Sequence, residues 1–143
     1  MSARILVVDD ELHIVQVLSL KLRNAGYEVF AAGDGEEGYE VACQRRPDLI
    51  IADYQMPYMT GLELCQSLAE DAKTKAIPVI ILTARGYALD DEDLKIGNIR
   101  CVLSKPFSPR GILQQVKDLL DGSGKGPSNA NGSRLGTPSQ EAA

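Results

Sequence analysis

This chain predicts an α/β fold, a parallel sheet covered by helices on both faces, and three observations predict it. The short aliphatic runs Ile5-Leu6-Val7-Val8, Leu49-Ile50-Ile51-Ala52, Val79-Ile80-Ile81-Leu82 and Cys101-Val102-Leu103-Ser104 show no polar alternation, as expected of strands buried on both faces. Apolar runs alternate with helical patterns about five times along the chain, the arrangement of βαβ units. The four runs lead into residues with chemistry: Asp9-Asp10, Asp53, Thr83 and Lys105-Pro106. Parallel strands bring their carboxyl ends to one edge of the sheet, where open α/β sheets bind ligands at the point of strand-order reversal.

The elements follow in order. The first strand, Ile5–Val8, leads into a helix over about Glu11 to Ala25 with Ile14, Leu18, Leu22 and Ala25 on one stripe; Gly26 closes it as a C′ residue. Strand two is Glu28–Ala32, and helix two runs from about Glu36 to Arg46, halted by Pro47. Gly33 to Gly38 spells GxGxxG, yet it follows the second strand and its acids would repel a pyrophosphate. It reads as the turn that opens helix two. After the Asp53 strand come a loop, Tyr54–Thr60, and a helix over about Gly61 to Asp71. Pro78 can start the fourth strand without losing an interior ladder bond. The segment Gly86–Ile99 is the weakest helix, with glycines flanking Asp90-Asp91-Glu92-Asp93, and is expected to be short or mobile. The last helix has Ser108 as N-cap, Pro109 at N1 and a stripe of Ile112, Leu113, Val116, Leu119 and Leu120.

Composition sets limits. The 143 residues suggest one domain, and 44% hydrophobic content is ordinary for a globular chain. Residues 1–121 hold 13 Lys+Arg and 19 Asp+Glu, a balance of −6, which argues against direct nucleic-acid binding. Met1-Ser2-Ala3-Arg4 and the four-residue run after it are too short for a signal peptide or a membrane span, so the protein is expected in the cytoplasm. Cys43, Cys65 and Cys101 are read as reduced, buried thiols, and His13, the only histidine, as a solvent-facing residue. Residues 122–143, with five Gly, four Ser and two Pro, read as a disordered tail.

Asp9, Asp10 and Asp53 at one sheet edge would repel one another by about 1 kcal/mol per pair at 4 Å in water, and by more where water is excluded. A cation would relieve this, and Mg2+ suits two carboxylates beside a phosphoryl group. A carboxylate can itself attack phosphorus to give an aspartyl phosphate, while a lysine and a threonine hold phosphoryl oxygens. An aspartate at a strand end can also be a simple turn former or helix cap.

The motifs Val7-Val8-Asp9-Asp10-Glu11, Asp53-Tyr54-Gln55-Met56-Pro57 with Gly61, Thr83-Ala84 and Lys105-Pro106-Phe107 together resemble those of the response-regulator receiver family over about residues 3–121. The resemblance implies a flavodoxin-like, doubly wound, five-stranded sheet in the order 2-1-3-4-5. It implies Asp53 as phosphoacceptor, Mg2+ held by Asp10, Asp53 and the Gln55 carbonyl with Asp9 reached through water, and phosphoryl oxygens bound by Thr83 and Lys105. It also implies a cis peptide before Pro106, and a sensor histidine kinase or histidine phosphotransfer protein as donor. Gln55 and Arg85 stand where relatives tune phosphoryl lifetime.

One departure concerns output. Three residues before the lysine, receivers usually carry a mobile aromatic; here the residue is Val102, which has few rotamers. Activation is therefore expected to be read through residues 83–99, with Tyr87 as a substitute reporter. Two other classes of function stand beside the switch. One is a receiver-like module that binds partners without phosphate, which Val102 favours. The other is a hydrolase working through an aspartyl phosphate, disfavoured because Gln55 stands where such enzymes commonly place a second acid.

Overall fold

The computed structural model describes residues 3–84, 91–96 and 98–121. Five strands form one parallel sheet in the order β2-β1-β3-β4-β5, with β1 Arg4–Val8, β2 Glu28–Ala32, β3 Leu49–Asp53, β4 Val79–Thr83 and β5 Ile99–Ser104. Among the described residues five helices connect and follow the strands: α1 Leu12–Asn24, α2 Gly35–Arg45, α3 Gly61–Ala69, α4 Asp91–Leu94 and α5 Pro109–Leu120. The unbroken aliphatic runs work because the two faces of each strand enter different cores. Leu6, Val8, Ile50 and Ile81 pack with Ala42 of α2 and with Leu64 and Leu68 of α3. Ile5, Val7, Ile51 and Ile80 pack with Leu18 and Leu22 of α1 and with Ile112 and Val116 of α5. Alternation of period two thus survives, with apolar residues on both sides.

Local chemistry sets the element ends. Gly26, at φ 100°, ends α1 in a Schellman arrangement: the Tyr27 N–H donates to the Leu22 carbonyl and the Gly26 N–H to that of Arg23. Asp34, Thr60 and Ser108 cap α2, α3 and α5 through their side chains, and Thr60 and Glu63 complete a capping box. The string from Gly33 to Gly38 is, as expected, the turn that opens a helix.

Several boundaries differ from the sequence reading. Helix α2 stops at Arg45 because Arg46 is already left-handed, at φ 45°, ahead of Pro47. Helix α3 stops at Ala69, two residues early. The Asp71 carboxylate accepts the Lys73 N–H and the Thr74 hydroxyl donates to the Leu68 carbonyl, local bonds that compete with another helical turn. Strand β5 starts at Ile99 rather than Cys101, and a register shift between Val79 and Ile80 absorbs Arg100, whose charge hides the strand start. On α1, Ala25 is exposed at the C-cap and Ile14 half-buried, while Val15 and Ser19 join Leu18 and Leu22 on the buried face. Cys65 and Cys101 are buried, but Cys43 is only half-buried, its thiol 3.7 Å from the Asp71 carboxylate. His13 is exposed as expected. Helix α4 spans Asp91–Leu94 among the described residues; Arg85, Tyr87, Asp90 and the tail, 122–143, lie outside them. Among the described residues no helix is long and apolar enough to cross a membrane.

The β3–α3 loop folds tightly over the sheet edge. The Gly61 N–H donates to the Tyr54 carbonyl, and a Cβ built at Gly61 would lie 2.5 Å from the Asp53 carbonyl oxygen. That obstacle is backbone and cannot rotate away. Gly61→Ala should destabilise the protein by about 1–3 kcal/mol, the range for overpacking, as measured by the urea midpoint; a midpoint equal to wild type would show that the loop can yield.

Candidate functional site

The carboxyl ends of β1, β3, β4 and β5 lie side by side, since Val8 registers with Ala52, Asp53 with Leu82 and Thr83 with Ser104. Strand β1 is flanked by β2 and β3, so the order reverses where Asp9, Asp10 and Asp53 emerge. Carboxylate oxygens of these three residues all lie within 4.8 Å of one another. Asp9 and Asp53 are buried, at 2% and 4% exposure, whereas Asp10 is exposed. An open cleft of about 510 Å³ is lined by Asp10, Glu11, Asp53, Gln55, Ala84 and Lys105.

Lys105 arrives from the end of β5, anchored by its N–H donating to the Thr83 carbonyl at 2.8 Å and followed by a cis peptide at Pro106. Its ammonium lies 3.0 Å from Glu11 Oε1, 3.1 Å from Asp53 Oδ1 and 3.7 Å from Asp9 Oδ2. Asp9 Oδ1 accepts the Glu11 N–H at 2.9 Å, while its buried Oδ2 has no hydrogen-bond partner. Thr83 is buried at the end of β4, beside the cleft but outside its lining. The structure thus gathers Asp9, Asp10, Asp53, Gln55 and Lys105 around one cleft. An apolar depression of about 500 Å³ alongside, with Ile14, Val17 and Phe107, shares Glu11 and Lys105 but none of the three aspartates.

Sequence reasoning missed Glu11 as a site residue. Its signal was present: an acid at a helix N-cap, where a shorter oxygen side chain is usual.

Negative charge is in excess here. Burial, and then the neighbouring Asp9 carboxylate, push Asp53 up to about 6 despite the opposing pull of Lys105. Burial likewise raises Asp9, against the Glu11 N–H and Lys105. Burial disfavours the charged Lys105, but the carboxylates of Glu11 and Asp53 outweigh it, so its pKa lies above the ordinary lysine value. An orphaned, buried carboxylate oxygen among three convergent carboxylates is a donor set that fits a hard cation.

Stability should follow from this. The Asp53 pKa rises from 3.8 to about 6 on folding. The folded state therefore binds the extra proton in that window, and stability is highest below it and is lost as pH rises through about 6. Metal-free protein should lose about 1–3 kcal/mol on this account between pH 4 and pH 7. Thermal melts should place Asp53→Asn above wild type at pH 7, with the gap closing toward pH 4; a pH-independent gap would remove Asp53 as the source.

Residues 5–117 match the family described as the response regulator receiver domain. The chain is 38% identical over 130 residues to the phosphate regulon transcriptional regulatory protein PhoB of Pseudomonas aeruginosa, covering 88% of this chain and 55% of that protein. It is 35% identical over 120 residues to Protein PilH of the same organism, covering 84% of this chain and 99% of that one. Its fold matches the chemotaxis response regulator CheY4 of Vibrio cholerae with a TM-score of 0.76 and 35% identity, over 83% of this chain and 99% of that one. The chain spans about half the length of several curated relatives it matches, and nearly all of Protein PilH. Receiver domains bind Mg2+ at an acidic pocket, and the aspartate cluster is consistent with that. Motifs, sheet order and the acidic cleft agree with the match, and this chain belongs to the response-regulator receiver family.

Proposed function

We propose that this chain is a cytoplasmic single-domain response regulator that takes a phosphoryl group onto Asp53 from a sensor histidine kinase or a histidine phosphotransfer protein. The observation that carries the reading is the Asp53 carboxylate, in contact with Lys105 at 3.1 Å within a cluster of three acids at the sheet edge. With its pKa near 6, Asp53 is mostly ionised at neutral pH and able to attack. One carboxylate oxygen bonds to phosphorus as the phosphorus–nitrogen bond of the phosphohistidine breaks, and the imidazole leaves with the electron pair. Lys105 and Thr83 bind phosphoryl oxygens in the product, and Gln55 lines the cleft through which water would reach it. Asp10, Asp53 and the Gln55 carbonyl, with Asp9 through water, would hold Mg2+, which when bound supplies positive charge against the carboxylates and the incoming phosphoryl oxygens. The chain carries its own phosphoryl group and is not an enzyme acting on a separate substrate. Its output is protein–protein contact rather than DNA binding, in keeping with its acidic balance.

A second reading, a phosphate-independent interaction module, draws on Val102. This residue is buried in the core that also holds Ile81 and Leu64, and its χ1 is restricted.

Intact mass separates the two. After incubation with acetyl phosphate and Mg2+, wild type should gain one phosphoryl group, with no gain without Mg2+ or in Asp53→Ala. A gain that survives Asp53→Ala would move the acceptor elsewhere. No gain from acetyl phosphate or from a phosphohistidine donor would leave the interaction module.

A further inference from the structure

The ammonium of Lys105 meets three carboxylates, and they are not equivalent. Asp9 and Asp53 are buried and belong to the cluster at the strand ends. Glu11 makes the shortest contact, 3.0 Å, yet its side chain is 53% exposed, so it alone of the three can swing into solvent. Its place in the chain is also unusual. Glu11 is the N-cap of α1, where Ser, Thr, Asp or Asn normally satisfies a free backbone N–H. Asp34, Thr60 and Ser108 do so for α2, α3 and α5; the Glu11 side chain makes no capping bond and reaches Lys105 instead. A residue that forgoes its local structural role for a long-range contact, 94 positions along the chain, is the kind of local inconsistency that marks function.

We infer that Glu11 is a positioning residue for Lys105: its carboxylate holds the ammonium on the α1 side of the cleft and competes with the phosphoryl group for it. The inference rests on the reading of Asp53 as phosphoacceptor. In the resting protein the ammonium divides its donors between Glu11 and Asp53. Once Asp53 carries a phosphoryl group, Lys105 must leave Glu11 to serve the new oxygens fully, and Glu11 draws it back. Glu11 therefore slows phosphorylation and shortens the life of the product. The Glu11 N–H bond to Asp9 is made by backbone, so a side-chain substitution leaves it in place.

The test compares wild type, Glu11→Gln and Glu11→Ser, with Glu11→Gln also placed in a Lys105→Gln background, all with acetyl phosphate and Mg2+. Glu11→Gln should raise the maximal phosphorylation rate and lengthen phosphoryl lifetime by about two- to fivefold each, the range that an exposed ion pair supports, and both gains should vanish with Lys105→Gln. Glu11→Ser should show the same gains with a higher Tm, because serine caps α1. The Lys105 Nζ resonance of nitrogen-15-labelled protein should shift in Glu11→Gln. Gains that persist in the Lys105→Gln background, a change confined to KM, or unchanged rates would overturn the inference. If wild type takes up no phosphoryl group from acetyl phosphate or from a phosphohistidine donor, the reading of Asp53 fails separately. The contact with Lys105 then stands or falls on its Nζ resonance, and an unmoved resonance overturns it.

Discussion

Among the described residues, one positive charge set against four carboxylates is what the rest of this molecule has to support. Asp9, Asp10, Asp53 and Glu11 crowd the edge of the sheet, and among the described cleft-lining residues Lys105 alone opposes them. At about 4 Å, like charges repel by about 1 kcal/mol in water and by several times that where solvent is scarce. The fold must hold this cluster together rather than be held by it. The raised Asp53 pKa expresses that cost, since the folded chain would retain a proton that the unfolded chain gives up.

The work is done by the sheet beneath. Each strand that presents an acid or the lysine is buried through almost its full length, from Ile5 to Val8, Leu49 to Ala52 and Ile99 to Leu103, with Arg100 the partial exception. Both faces are packed by helices, so sliding a strand would disrupt two cores at once. Backbone bonds complete the frame at the edge itself: Tyr54 to Leu82, Lys105 to Thr83 and Asp9 to Ala32. Repulsion at the site is thus borne by apolar packing elsewhere, and the cluster stays primed for an incoming cation and phosphoryl group.

This division explains what the sequence disclosed. Runs such as Ile50-Ile51-Ala52-Asp53 carry fold and site in the same few letters, because a doubly buried strand has no polar residue until it leaves the core. The cluster of Asp9, Asp10 and Asp53 around Lys105 was legible for that reason. Apart from the end of α2, which the left-handed backbone of Arg46 sets, what was missed involves side chains with a second allegiance. Arg100 charges a strand start, Asp71 and Thr74 take backbone groups that would extend α3, and Glu11 leaves its helix for a lysine brought near only by folding. No local pattern of period 2 or 3.6 encodes such a long-range choice.

Val102 sharpens the question of how a change at the edge would reach the surface. It sits on β5, three residues before Lys105, in the core on the α2–α3 side, with Ile96 packed against the same cluster. A β-branched side chain in a fully packed interior cannot alternate between two rotamer wells without opening a void. A two-state element is then sought in the backbone rather than in a ring flip. Among the described residues between β4 and β5, α4 spans Asp91–Leu94. The pair of Glu92 with Lys95 at 3.3 Å is exposed and contributes little. Lys105 hangs from the Thr83 carbonyl, so a backbone shift at the end of β4 would move the ammonium while the sheet beneath stays fixed.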